Sequence, residues 1–255
     1  MKINIESKTL LDIIINKLKL KQPYLITRFG DGELMAHSNN LNDKIVIQTY
    51  NRHLGYLPNN TITYEISKKL EETVYNSDVI SIHKKNEMFL WSEIPKLYEN
   101  LKEKNKIMWG EKLICDHDFH FYLLEHNLFD EMIQNTEHLS LITCRDVETK
   151  FKKKYSHLKT ITTYKIPAEN KFEEDSKIVQ YYPNVFNNIQ TKILSKNHSG
   201  HLLLLGGGFV GKKLGDCFKQ SGGVSVDIGS VFDLWVGKVT RGHNRGSHSY
   251  IKPLL

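Results

Sequence analysis

Arg28, Asp31 and Glu33 fall within one short stretch, YLITRFGDGE over Tyr24–Glu33. Two carboxylates at i and i+2 on a tight turn can grip one hard cation, and an arginine beside them can reach a phosphate with its planar fork. Acid, acid and cation side by side is what a metal–diphosphate substrate requires. An ordinary Asp-Gly turn carrying a surface ion pair is the structural alternative. Pro23 opens the stretch, Tyr24-Leu25-Ile26 reads as a strand, and Gly30 and Gly32 turn the chain with Asp31 and Glu33 exposed on it. In a parallel α/β sheet the carboxyl edge of a strand is where ligands sit.

A second signal runs from His201 to Asp227. An apolar strand (His201–Leu205) passes through Gly206-Gly207-Gly208-Phe209-Val210-Gly211 into a helix over Lys212–Gln220. Gly206, Gly208 and Gly211 satisfy G-x-G-x-x-G between a strand and a helix. Such glycines let the backbone approach a diphosphate, met there by free N–H groups and the positive end of the helix dipole. Ser221-Gly222-Gly223 closes the helix, and Val224–Asp227 forms a strand ending in an acid. The pattern is also the dinucleotide fingerprint and resembles an S-adenosylmethionine loop. Against both, only about 28 residues follow Asp227, too few for a second βαβ half in the usual order. Neither gives Asp31 and Glu33 any work.

Weaker clusters lie elsewhere. His138–Cys144 reads as a buried strand running into Arg145-Asp146, which repeats the first strand's pattern of an arginine and an acid at the edge. Arg145 there can meet a phosphate, and Asp146 can also cap the next helix. Cys115-Asp116-His117-Asp118-Phe119-His120 invites a zinc reading, but its spacing departs from the usual ligand pairs. A polar loop with Asp118 capping the helix FHFYLLEHNLF explains it as well, and Asp116 or His120 facing the cleft is favoured over structural metal. Arg52, His53 and the basic run His83-Lys84-Lys85 read as ligand groups or solvated loops. Phe232 and Trp235 could stack on a ring, though large aromatics in such a run more often belong to the core.

The elements that must position these residues follow from periodicity and punctuation. Residues 6–20 predict a helix with Leu10, Leu11, Ile14, Ile15 and Leu18 on one face, capped by Ser7 or Thr9. Residues 34–43 read as loop, Ile45–Gln48 as a short strand and Asn51–Asn60 as loop. A helix is expected over Thr63–Tyr75, a strand over Asp78–Ile82, a helix over Glu87–Lys104 bent by Pro95, and a strand over Lys106–Trp109. Further on come a helix over Val147–Tyr155, a strand over Thr160–Ile166, a charged loop over 168–177 and a helix from Tyr182-Pro183 to about Lys196.

Composition sets the frame. Hydrophobic residues at 40% and charged residues at 25% are those of an ordinary globular chain, and 255 residues suffice for a sizeable core. No apolar run reaches bilayer length, and MKINIESK lacks a signal-peptide core, so a soluble, cytoplasmic chain is expected. Cys115, Cys144 and Cys217 are too scattered for a disulfide framework. A net charge of +6 attracts phosphates or an anionic membrane surface. With no RNP-like aromatic motif and no arginine stripe, nucleic acid is not the expected partner. One domain over residues 1–240 and a basic tail over 241–255 is the simplest organisation. Peripheral contact with the inner face of the membrane, and homo-oligomerisation, stay open.

RFGDGE over Arg28–Glu33, the LITCRD edge over Leu141–Asp146 and the run LLLLGGGFVGKKLGDCFKQSGGVSVDIGSVFDLWVGK over Leu202–Lys238 together resemble the GT-D-type bacterial glycosyltransferases. The resemblance spans nearly the whole chain and is specific at its two ends. It implies a Rossmann-like α/β domain with a mostly parallel sheet, and a nucleotide-sugar donor, commonly a UDP-hexose. It also implies a D-x-E motif at a divalent metal, Mn²⁺ or Mg²⁺. Asp31 and Glu33 match that motif, and Arg28, Gly30 and Gly32 match its frame. Arg145, Lys212 and the Gly206–Gly211 amides would compete for the phosphates. Asp227 and Asp233 are the candidate bases for an inverting transfer, with Asp146 in reserve. The acceptor would be a glycan, glycolipid or glycoprotein of surface polysaccharide or glycoprotein synthesis. This sequence has DIGSVFD where the best-known branch of the family ends in DIGH, so acceptor and stereochemistry do not transfer. The two competing classes are an NAD- or S-adenosylmethionine-dependent enzyme using the glycine loop alone, and a non-catalytic sugar-nucleotide-binding module.

Overall fold

A computed structural model describes residues 3–83, 112–169 and 180–240. Its centre is a seven-stranded sheet in the order β3-β2-β1-β7-β6-β4-β5, with every pairing parallel. The strands are β1 (Tyr24–Arg28), β2 (Val79–Ile82), β3 (Leu113–Asp116), β4 (His138–Thr143), β5 (Thr160–Lys165), β6 (Leu202–Leu205) and β7 (Val224–Asp227). The central ones are buried almost throughout, β6 as an unbroken run of leucines, because both faces are covered by helices. The architecture is Rossmann-like α/β.

Each face has its own core. Helices Asp31–Ser38, Lys44–Leu54, Asn60–Asn76, Phe186–Leu194 and Gly208–Gln220 bury Phe29, Leu34, Tyr50, Leu70, Phe186 and Phe209 on one face. Helices Ser7–Lys19, Phe119–Glu125, Leu128–Ile133, Glu148–Lys154 and Val231–Trp235 bury Leu10, Phe119, Met132, Phe151 and Trp235 on the other. Among the described residues, connections running toward the β3 edge (β1 to β2, β5 to β6 and β6 to β7) use the first face, and those running toward β5 use the second, as one handedness of parallel crossover requires. The chain leaves β1 and β6 on the first face but leaves β7, which lies between them, on the second. Where neighbouring strands release their loops to opposite faces, the carboxyl edge of the sheet opens into a crevice.

Several elements match the expectation: the first helix with all five of its predicted apolar positions buried, β1, β2, β4, β5, β6, β7 and the helix after the glycine loop. Others do not. The position before the first helix is Glu6, and no side chain caps it. Of residues 34–43, read as loop, 34–38 belong to the helix Asp31–Ser38, and 39–43 are the non-helical stretch expected. Ile45–Gln48, read as a strand from its β-branched residues, is the start of helix Lys44–Leu54. Val46, Tyr50 and Leu54 recur every four residues and are all buried, Asp43 accepts from the Ile45 N–H at 2.7 Å, and Gly55 ends the helix at φ 78°. The helix expected from FHFYLLEHNLF breaks at Asn127, φ 56°, into two short pieces. β3 occupies Leu113–Asp116, so Cys115 and Asp116, read as the start of a polar loop, end a strand. The expected helix Glu87–Lys104 and strand Lys106–Trp109, Lys84 and Lys85, most of the loop 168–177 and the tail 241–255 lie outside the described residues. Among the described residues no helix is long and apolar enough to cross a membrane.

Candidate functional site

The turn after β1 is built differently from two exposed acids on a loop. The Phe29 N–H donates to the Ser81 carbonyl at 2.9 Å, pinning the chain to β2 one residue beyond the strand, and the Phe29 ring is wholly buried. Gly30 then becomes the position before helix Asp31–Ser38, and its N–H donates to Glu33 Oε2 at 2.9 Å. Such a return contact from the third helical residue satisfies a donor the helix leaves open. Asp31 is exposed and accepts the Gly32 N–H at 2.9 Å. Glu33 points inward, 9% exposed, with Lys212 Nζ 3.2 Å from Oε1. Burial works against its charge, yet Lys212, the Gly30 amide and, more distantly, Arg28 and His53 bring its pKa down to about 2.

Lys212 reaches this position from the second turn of the glycine-loop helix. It also pairs with Asp227 at the end of β7, and both partners are buried. Asp227 accepts two backbone N–H groups besides, from Arg28 at 3.3 Å and Gly229 at 3.1 Å. The two ends of the sequence therefore do meet: β1 pairs with β7, and Glu33, Lys212 and Asp227 form one buried acid–base–acid chain across the seam. Lys212 was expected on a phosphate and Asp227 as a base; the structure commits each to the other.

Arg28 is held otherwise. Its side chain crosses the β1 edge so closely over Gly229 (φ 50°) that a Cβ there would strike Nη1. Nη2 lies 3.4 Å from His117 Nε2. His117 Nδ1 faces Asp118 Oδ1 at 3.5 Å, and the ring stacks on His83 with centroids 3.8 Å apart. Register accounts for the stack: Ile82 and Asp116 are paired across β2 and β3, so the next residue on each strand stands level. Burial first, then the nearby Arg28, lowers the His117 pKa to about 3 and keeps the ring neutral. His120, fully buried, offers Nδ1 to the His117 carbonyl at 3.1 Å, while its Nε2 has no hydrogen-bond partner. The cluster first weighed as a zinc loop thus supplies β3 and the prop of Arg28, with Cys115 buried in the second core. His117 was visible in the sequence only as one of several polar residues. The signal that could have singled it out is its place one residue past a strand.

The glycine loop is packed closely by protein. A Cβ at Gly206 would meet the Phe232 ring at 2.7 Å and the Gly229 carbonyl at 2.8 Å. At Gly207 it would meet Gly211 Cα at 2.9 Å, and at Gly208 (φ 61°) His53 Nδ1 at 2.9 Å. His53, from the end of helix Lys44–Leu54, thereby sits between the two glycine turns, 3.5 Å from the Cβ position of Gly32 and 3.4 Å from Glu169 Oε1. Arg52 Nε holds the other Glu169 oxygen at 2.8 Å. At the β4 edge, Arg145 is buried and pairs with Asp233 at 2.6 Å, whose other oxygen takes the Thr240 hydroxyl at 2.5 Å. Asp146 stands in solvent beside Lys165 and does not cap the following helix, whose flanking residue is Val147. Phe232 and Trp235 are core residues.

The short count of residues after Asp227 does not bear on the dinucleotide reading, because β1, β2 and β3 complete the sheet beyond β7. Asp227, the acid of that pattern, is buried beneath Lys212. Compared with protein-family models, curated proteins and solved structures, the chain matches none.

Proposed function

We propose that this chain is a glycosyltransferase moving a hexose-type sugar from a nucleotide-sugar donor, UDP-linked by resemblance, to a saccharide, lipid-linked or protein-linked acceptor. The observation that carries the reading is Arg28. It lies at the carboxyl edge of a central strand with no carboxylate within ion-pair distance among the described residues, and its Nε is buried without a partner. A half-buried guanidinium left uncancelled suits an anion with several oxygens. Along the same sheet edge, after β6 and so two strands from β1, the first N–H groups of helix Gly208–Gln220 have no intrahelical acceptor, and the helix dipole favours negative charge there.

The donor set fits a hard divalent cation in part. Asp31 presents an exposed carboxylate of the right chemistry, while Glu33 is taken by Gly30 and Lys212. Asp31 is the residue of the pair whose carboxylate would hold Mn²⁺ or Mg²⁺. When bound, the ion offsets charge on the departing diphosphate. Arg28 meets the same charge from the β1 edge. Glu33, Lys212 and Asp227 act as the brace that holds the β1 turn against the glycine-loop helix. Asp233, neutralised by Arg145, is assigned a holding role in place of the base role expected for it.

Thermal unfolding of the full chain with UDP, GDP, CMP, NAD and S-adenosylmethionine, each with and without Mn²⁺, tests the reading together with turnover of UDP-sugars. Expected is a UDP shift that grows with Mn²⁺, a few kcal/mol at concentrations far above Kd, and turnover lost in Asp31→Asn. A shift with NAD or S-adenosylmethionine alone, indifferent to Asp31, would assign the glycine loop to another cofactor. UDP binding without any turnover would leave a binding module.

A further inference from the structure

The geometry points to His117 as the positioning residue of the anion clamp: a neutral imidazole, braced by Asp118 and His83, that aims the Arg28 guanidinium without cancelling its charge. The inference rests on the diphosphate reading above and adds to it the part that makes Arg28 serviceable.

The usual prop for a half-buried arginine is a carboxylate, which fixes the fork in place but spends its charge. Here the Nη2 neighbour is His117 Nε2 at 3.4 Å, an acceptor that carries no charge. With Nδ1 turned to Asp118 Oδ1 at 3.5 Å, the proton of the neutral ring belongs on Nδ1, leaving the Nε2 lone pair for Arg28. Low pKa supports this assignment, since a protonated ring would repel the guanidinium. Room for the pair is made by two glycines. A Cβ on Gly30 would approach His117 Nε2 to 2.8 Å, and a Cβ on Gly229 would strike Arg28 Nη1. His83 closes the outer face of the His117 ring at 3.8 Å between centroids. His117 after β3 and Gly229 after β7 thus meet the guanidinium directly, while Gly30 after β1 and His83 after β2 pack against His117.

Calorimetric titration of the full chain with inorganic pyrophosphate and with UDP, with and without Mn²⁺, tests it on wild type, Arg28→Ala, His117→Leu, His117→Gln and the Arg28→Ala/His117→Leu double variant. Losing a hydrogen bond to a charged group should weaken binding about tenfold or more in each of the first two single variants. His117→Gln, whose amide oxygen is an uncharged acceptor, should recover most of that loss. The double variant should bind no more weakly than Arg28→Ala alone, because both changes remove the same interaction. Wild-type affinity in His117→Leu, losses that multiply in the double variant, or a wild type that binds neither anion would overturn the inference. If His117→Leu does not fold, His117→Asn, with its acceptor at the wrong reach, takes its place under the same criteria. Pyrophosphate binding with the expected pattern but no sugar transfer would sink the glycosyltransferase reading and leave this one standing. Transfer that survives Arg28→Ala unchanged would do the reverse.

Discussion

Glu33→Gln separates the charge of the buried brace from its shape. The side chain keeps its size and can still accept the Gly30 N–H, but the charge facing Lys212 at 3.2 Å is gone. The carboxyl pKa drops from its ordinary 4.5 to about 2 on folding. At about 1.4 kcal/mol for each pH unit between them, its ionisation contributes about 3 kcal/mol at neutral pH. Lys212 retains Asp227 in the variant, so no cation is left bare and the loss should not exceed that figure. Because the folded pKa lies below the unfolded one, this stability is whole above pH 4.5 and disappears as pH falls toward 2. Urea unfolding of wild type and variant at pH 7 and pH 3 measures it: the gap should be about 3 kcal/mol at pH 7 and shrink by about 2 kcal/mol at pH 3. A gap that is small at pH 7, or independent of pH, would refute the claim that Glu33 is an ionised member of the brace.

Gly229→Ala should cost about 1–2 kcal/mol for a side chain forced to φ 50° and should abolish anion binding, since its Cβ occupies the space of Arg28; circular dichroism melts and pyrophosphate titration read the two effects separately. Gly30→Ala, whose φ is −111°, carries no such backbone strain. It should weaken UDP binding only through the 2.8 Å encounter with His117, so its melting temperature should fall less than that of Gly229→Ala. Acid should destabilise the fold before its carboxylates titrate. Burial first, then Arg28, holds His117 at about 3 and His120 well below its ordinary value, so stability is intact above about pH 6.5 and falls below it as the unfolded rings protonate. Urea unfolding at pH 7.5 and 5.5 should differ by about 1 kcal/mol from His117 alone, His120, His198 and His201 adding to it in the same direction, and His117→Gln should remove the His117 share. A pH-independent midpoint over this range would show that the rings are not buried neutral.

Much of the sheet was legible in the sequence because the information is local. Leu202–Leu205 is apolar on both faces, glycines follow it, and a periodic helix follows them; nothing distant is needed to read β6, its loop and its helix. The same holds for β1 and β4, each an apolar run ended by an arginine edge. Where local preference and tertiary burial disagree, the sequence misleads: Ile45-Val46-Ile47 favours a strand, but Val46, Tyr50 and Leu54 share one buried face only on a helix. β3, four residues with a polar end, becomes a strand by pairing with β2. The residue types of the candidate site were likewise visible, with Arg28, Asp31, Glu33, Lys212 and Asp227 all singled out by type and spacing. Which of them neutralise one another was decided by strand order. Setting β7 beside β1 brings Asp227 and Lys212 to Glu33, and setting β3 beside β2 brings His117 to Arg28. Charge cancellation depends on distances of a few ångströms between residues as far apart in sequence as Glu33 and Lys212, and those distances belong to the fold alone.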